Sequence, residues 1–183
     1  VSRARDIDIT GRASGWWARA RSNRFFALGL AGAGVVAMID QATKLWIVHG
    51  VRLPEKGKIE ISGVFDLSYV QNYGASFGML SGGMASRIIL SLVSTGVVLG
   101  LAYWLGKLQR PVAATGVSFV IGGALGNLYD RIAYGYVVDF LDFSGLYFPW
   151  VFNVADAAIN VGVALLLLDA WQTRDQGAPT QKS

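Results

Sequence analysis

The chain has 183 residues, 53% of them apolar and only 15% charged, with a positive mean hydropathy. A soluble domain of this length carries about 25% charged residues, so the composition points to a small multi-span membrane protein. The absence of cysteine excludes disulfides, thiol nucleophiles and thiolate metal sites, and the net charge of +4 lies too far towards one end to argue for nucleic acid.

Six arginines (Arg3, Arg5, Arg12, Arg19, Arg21 and Arg24) precede the first apolar run. By the positive-inside rule, residues 1–24 read as a cytoplasmic arginine-rich extension. The run that follows is too long for a signal-peptide core and lacks a small-residue cleavage site, so it reads as a retained span. A hydrocarbon layer of about 30 Å needs roughly 20 apolar residues as helix. Four segments meet that length: about Phe25–Val48, Ile88–Gly106, Val112–Ile132 and Val151–Trp171, leaving residues 172–183 as a polar tail. With the N-terminus inside, Lys107, Arg110, Arg174 and Lys182 fall inside as well. The intramembrane polar groups (Asp40 with Lys44, Asn127 with Asp130 and Arg131, Asn153 with Asp156) all fall on the outer side. The one histidine, His49, has no nucleophile elbow to join it in a Ser-His-Asp triad.

Two external stretches differ in texture. In Gly50–Ser86, Pro54-Glu-Lys-Gly57 signals a turn. Phe65, Leu67 and Tyr69 alternate with Asp66 and Ser68, which predicts two or three short strands in a small sheet. Ala133–Trp150 holds Tyr134, Tyr136, Phe140, Phe143, Tyr147, Phe148 and Trp150, and predicts an aromatic loop at headgroup level. Gly96-Val-Val-Leu-Gly100 and Gly122-Gly-Ala-Leu-Gly126 predict close helix packing. No internal repeat is visible, which counts against an inverted-repeat transporter.

Ionisable groups at membrane depth are costly and mark function. Asp40 and Lys44 stand at i,i+4, the order that favours an ion pair. Asn153, Asp156 and Asn160 share one face of the last span, and Gly123, Asn127 and Asp130 or Arg131 one face of the third. Asp139 and Asp156 carry the most information. Of two carboxylates brought together, one can hold a proton while the other stays ionised, which suits activation of water. Asp142 competes with Asp139 on spacing alone. Asp139, Asp142 and Asp156 could also hold a hard cation such as magnesium or calcium. A proton-relay transporter and a non-enzymatic membrane scaffold are the rival classes.

Five blocks in order, Asp40-Gln-Ala-Thr-Lys44, Asn72-Tyr-Gly-Ala-Ser-Phe77, Gly122-Gly-Ala-Leu-Gly-Asn-Leu-Tyr-Asp-Arg131, Val137-Val-Asp-Phe140 and Phe152-Asn-Val-Ala-Asp156, resemble the signature blocks of signal peptidase II, the bacterial lipoprotein signal peptidase. The resemblance covers about Phe25 to Trp171. It implies four transmembrane helices with a small extracytoplasmic sheet, and a peptidase domain over residues 25–171. It further implies an aspartic endopeptidase of the bacterial cytoplasmic membrane, with both termini cytoplasmic and its site near the outer face. Its substrates would be diacylglyceryl-prolipoproteins cut N-terminal to the lipidated cysteine, and its inhibitor globomycin. The resemblance assigns the dyad to Asp139 and Asp156, with Asp142 outside it. It makes Asn72, Asn127, Arg131 and Asn153 the residues lining the site, and Asp40 and Lys44 a structural pair. A monomer working in membrane lipid, with no metal, cofactor or nucleic acid, completes the expectation.

Overall fold

The computed structural model describes residues 9–74 and 83–174. Arg3, Arg5 and Lys182 of the charge pattern, and Ala75, Ser76 and Phe77 of the second block, lie outside the described residues. The elements in chain order are α1 (Ile9–Ser22), α2 (Arg24–Leu45, continued by a π-helical turn, Trp46–Gly50), α3 (Leu53–Lys56), β1 (Lys58–Glu60), β2 (Asp66–Asn72), α4 (Met84–Leu105), α5 (Pro111–Ala133), β3 (Val137–Asp142), a 3-10 turn (Ser144–Leu146), β4 (Val151–Phe152) and α6 (Val154–Arg174). Among the described residues, four helical stretches are long and apolar enough to cross a membrane: Arg24–Gly50, Met84–Leu105, Pro111–Ala133 and Val154–Arg174.

The centre of the bundle is α5. Two-thirds (67%) of its most apolar stretch is buried, against 22% or less in the other three spans. Lipid tails are as apolar as leucine, so helices associate in a bilayer through close packing, which small residues permit. A Cβ at Gly122 would meet the Ala33 carbonyl of α2 at 2.6 Å. At Gly123 it would strike the Ala155 carbonyl of α6, and at Gly126 the carboxylate of Asp40. This small-residue pattern brings two polar helices onto the third. The other pattern does not: Gly96 and Gly100 of α4 meet nothing within 4 Å, so the packing expected there is absent among the described residues.

The sheet caps one end of the bundle and is antiparallel throughout, in the order β1-β2-β3-β4. Ile47, Leu53, Leu67, Val138 and Phe140 form the apolar cluster that seats it. Here the sequence reading needs correction. The sheet was expected within residues 50–86, but β3 comes from the stretch read as an aromatic loop and β4 from the expected start of the last span. Val137 to Phe140 are all buried, so both faces of β3 are covered and the alternation that betrays a half-buried strand is missing. Phe140, 4% exposed, is a core residue and not an interfacial one.

The last span begins at Val154, with β4 in the place of its expected first residues. The arginine-rich extension also has more structure than a charged anchor. As α1 it lays Trp16 on Tyr103 of α4, rings stacked at 5.3 Å.

Candidate active site

Where the sheet meets the bundle, the polar residues of three spans and two strands form one hydrogen-bonded chain. Its base is Lys44, buried on α2, whose ammonium pairs with Asp40 at 2.8 Å and with Asp130 of α5 at 2.9 Å. Each carboxylate has a second task. Asp40 accepts from the main-chain N–H of Ala155 on α6 at 2.9 Å, and Asp130 from that of Val138 on β3 at 3.1 Å. One buried cation thereby ties α2 to α5, α6 and the sheet. Gln41 strengthens the joint by donating to Asp130 at 2.8 Å and to the Gly126 carbonyl at 3.1 Å. Gln41 was not singled out from the sequence, although it shares a helix face with Lys44, three residues on.

Lys44 also donates to Asn127 Oδ1 at 3.1 Å. An ammonium group has only donors to offer, so this contact fixes which way the Asn127 amide points. Its nitrogen is left facing α6, where it donates to Asp156 Oδ1 at 2.8 Å. Asn127 Oδ1 takes a further bond from Asn153 Nδ2 at 3.2 Å, and that nitrogen reaches Asp139 Oδ1 at 2.6 Å. Asn72 Nδ2 holds the other oxygen of Asp139 at 3.0 Å. The expected residues Asp139, Asp156, Asn72, Asn127 and Asn153 are thus brought together, and Asp40 with Lys44 forms the structural pair beneath them.

Local structure explains each placement. Asn153 stands just before α6, and its Oδ1 accepts from Asp156 N at 2.9 Å while Asp156 Oδ2 accepts from Asn153 N at 3.3 Å. This is a reciprocal capping box, with aspartate in the place of the usual glutamate. It locks Asp156 into the first turn of α6, where helix-end N–H groups favour a carboxylate. Asn160, expected on the same face, only donates to the Asp156 main-chain carbonyl at 3.0 Å.

Asn72 reaches Asp139 because of an irregularity in the ladder. Leu67 pairs with Leu141 but Val70 with Asp139, so β2 carries one residue more than β3 between those pairs. A one-residue shift exchanges strand faces. Without the bulge, Gln71 would stand beside Asp139 and Asn72 would point away.

Asp139 is 2% exposed, and burial together with the neighbouring negative charge of Asp156 pushes its pKa up to about 7. Arg131, half-buried, donates to the Asn127 carbonyl at 3.4 Å, and its positive charge acts on Asp156, Asp139 and Asp130. A cavity of about 350 Å³ lined by Asn72, Tyr73, Trp150 and Val151 opens onto Asp139.

Asp142, three residues along the strand, belongs elsewhere. It accepts from Ser68 Oγ at 2.6 Å and from Ser144 N at 2.9 Å, with Lys58 at 3.8 Å, and those partners hold its carboxyl below the usual range. It is not gathered with Asp139 and Asp156, and among the described residues no group of three or more acidic, histidine or cysteine side chains could hold a metal ion.

Comparison with known proteins supports the family resemblance seen in the sequence. A family model described as signal peptidase (SPase) II matches residues 32–172. The lipoprotein signal peptidase of Caulobacter vibrioides is 48% identical over 149 residues, covering 81% of this chain and 89% of its own. That of Rhodopseudomonas palustris is 39% identical over 162 residues, covering 85% and 96%. A bacterial membrane enzyme solved by the in meso method at 2.3 Å superposes with a TM-score of 0.71 at 25% identity, over 86% of this chain and 95% of that one. A second such enzyme, solved at 1.9 Å, gives a TM-score of 0.68 at 28% identity, over 79% and 92%. The chain therefore belongs to the signal peptidase II family of bacterial lipoprotein signal peptidases.

Proposed function

We propose that the protein is an aspartic endopeptidase in which Asp139 and Asp156 activate water to cut diacylglyceryl-modified prolipoproteins just N-terminal to the lipidated cysteine. The observation that carries this reading is the shared asparagine bridge. Asn153 bonds Asp139 directly and Asp156 through its cap, so the two carboxylates are held as one unit with separate surroundings.

The division of labour follows from those surroundings. Asp139, with its pKa pushed up to about 7, carries the proton. Asp156, at the start of α6, takes a proton from a water as the water oxygen attacks the scissile carbonyl carbon. Asp139 gives its proton to the carbonyl oxygen, and a neutral diol forms. On collapse the proton on Asp156 passes to the leaving amine, which becomes the N-terminus of the lipidated cysteine. The C–N bond breaks and the diol hydroxyl returns a proton to Asp139. Asn72, Asn127 and Asn153 hold the carboxylates in place, and Arg131 offsets charge on the pair.

This reading needs no metal, because Asp142, the third ligand that a hard-cation site would require, is occupied by Ser68, Ser144 and Lys58. Arg19, Arg24, Lys107, Arg110 and Arg174 cluster at the end of the bundle away from the carboxylates. The positive-inside rule then puts both termini in the cytoplasm and the site near the outer face of the cytoplasmic membrane. We take the working unit to be a monomer in lipid and globomycin to compete at the same site.

The test is a gel-shift assay of a diacylated prolipoprotein with the purified protein. Conversion that globomycin blocks and that continues after exhaustive chelation is expected. Inactivation by the chelator, with recovery on adding magnesium or calcium, would replace this mechanism with a metal-assisted one.

A further inference from the structure

At the end of the bundle opposite the carboxylates, α1, the start of α2 and the α4–α5 turn enclose a cavity of about 630 Å³. Among the described residues its charged lining is wholly cationic: Arg19 from α1, Arg24 from α2 and Lys107 from the turn. None of the three joins an ion pair among the described residues. Aromatic rings support two of them instead, Arg24 over Phe25 at 4.8 Å and Lys107 over Tyr103 at 4.0 Å.

The walls are built firmly. Trp16 Nε1 donates to the Tyr103 carbonyl at 3.2 Å. Asn23, buried, donates to the carbonyls of Gly106 and Leu108 at 3.3 and 2.8 Å and caps Phe25 N. A second cavity, of about 310 Å³, lies beside the first. It shares Phe25 and continues along the membrane-spanning surface as an apolar groove between α2 and α5, past Leu28, Ala114, Thr115 and Phe119.

A cationic chamber that shares the wall residue Phe25 with an apolar groove has the polarity of a phospholipid. We propose that this site binds an anionic phospholipid of the adjacent leaflet, its phosphate among Arg19, Arg24 and Lys107 and an acyl chain in the groove beyond Phe25. Basic pockets beside spans favour anionic headgroups, and a zwitterionic lipid would bring its own cation into a chamber that already holds three. The exposed Trp17, Tyr103 and Trp104 lie at the same level and suit headgroup depth. The bound lipid would pin α1 to the α4–α5 turn. Only the naming of the leaflet as cytoplasmic rests on the orientation proposed above.

The test is native mass spectrometry of the full chain, released from detergent with equimolar phosphatidylglycerol and phosphatidylcholine of identical acyl chains. The wild type should retain phosphatidylglycerol about fivefold or more over phosphatidylcholine. The triple variant Arg19→Gln/Arg24→Gln/Lys107→Gln should retain the two equally while still processing substrate. Arg24→Gln alone should narrow the preference, which keeps the test open if the triple variant misfolds. Thr115→Trp, which fills the groove and leaves every cation in place, should lower retention of phosphatidylglycerol. Equal retention by the wild type, a preference that survives in the variants, or full displacement of the lipid by millimolar inorganic phosphate would overturn the proposal, the last by marking a site for free anions.

Discussion

The two faces of strand β3 set carboxylates three residues apart in opposite circumstances. Asp139 faces the bundle, buried beside a second carboxylate, with neutral amides as its hydrogen-bond donors. Asp142 faces the outer part of the sheet, with a hydroxyl, a main-chain N–H and an ammonium group around it. The residue type is the same, and the strand's alternation decides the chemistry. One carboxyl is pushed towards holding its proton at neutral pH and the other towards losing it. In the proposed mechanism, a carboxylate of β3 is catalytic or structural according to the face it occupies.

The sharpest way to break the contrast is on the bundle side. Asp156→Asn keeps the shape of the side chain and leaves an oxygen for the cap, but an amide cannot take a proton from water. Turnover should fall by about 10²–10⁴-fold or more, followed as conversion of a diacylated prolipoprotein. Folding should stay close to wild type by circular dichroism. Retention of substantial turnover by that variant would remove Asp156 from the dyad.

Lys44→Met attacks the foundation. It leaves Asp40 and Asp130 buried without their cation, which costs about 3–5 kcal/mol in comparable buried pairs, and it frees the Asn127 amide to turn. A clear drop in melting temperature together with lost activity is expected. A stable variant that kept full activity would mean that the orientation of Asn127 does not matter.

The two faces should also respond to pH with opposite signs. Asp139 titrates near 7 in the folded state against about 3.9 when unfolded. The folded protein therefore binds more protons between those values, and this group's contribution to stability declines as pH rises from about 4 to about 7. For Asp142, whose folded pKa is lowered, the contribution is present above about 4 and is lost as pH falls through the folded value. Asp139→Asn should abolish the first decline, and Asp142→Asn should lower stability at neutral pH. Melting temperatures across pH 4 to 8 read both, and identical profiles for the two variants would contradict the contrast. In wild-type enzyme, kcat/KM should fall as pH rises past about 7, as Asp139 loses the proton it must donate.

The smallest effect is expected furthest away. Removal of residues 1–14 leaves Trp16 and Asn23 in place at the α4–α5 turn and should leave turnover in detergent near wild type. A catalytic defect in that well-folded truncation would tie the extension to the site.

The spans were legible because a long apolar run has few other uses, and Asp139, Asp156 and the asparagines because polar side chains at membrane depth stand out. Other features left no trace in the pattern. β3 is covered on both faces and lacks alternation, so its strand character was hidden in an aromatic stretch. The bulge that turns Asn72 towards Asp139 depends on pairing with a strand about 70 residues away in sequence, which no local rule reports. The cap of α6 is legible in Asn153 and Asp156 at Ncap and N3 spacing, but the apolar run that starts at Val151 places both inside the helix. Gly96 and Gly100 matched a packing pattern as well as Gly122 and Gly126 did, yet only the second pair meets a partner helix.

The central claim is that the bundle-facing carboxylate of β3 performs the chemistry and its neighbour does not. Its most direct test is turnover of a diacylated prolipoprotein by Asp139→Asn and Asp142→Asn, prepared and assayed side by side. The account predicts no detectable conversion by Asp139→Asn and substantial activity in Asp142→Asn. Equal loss in two well-folded variants, or activity that survives in Asp139→Asn, would contradict it.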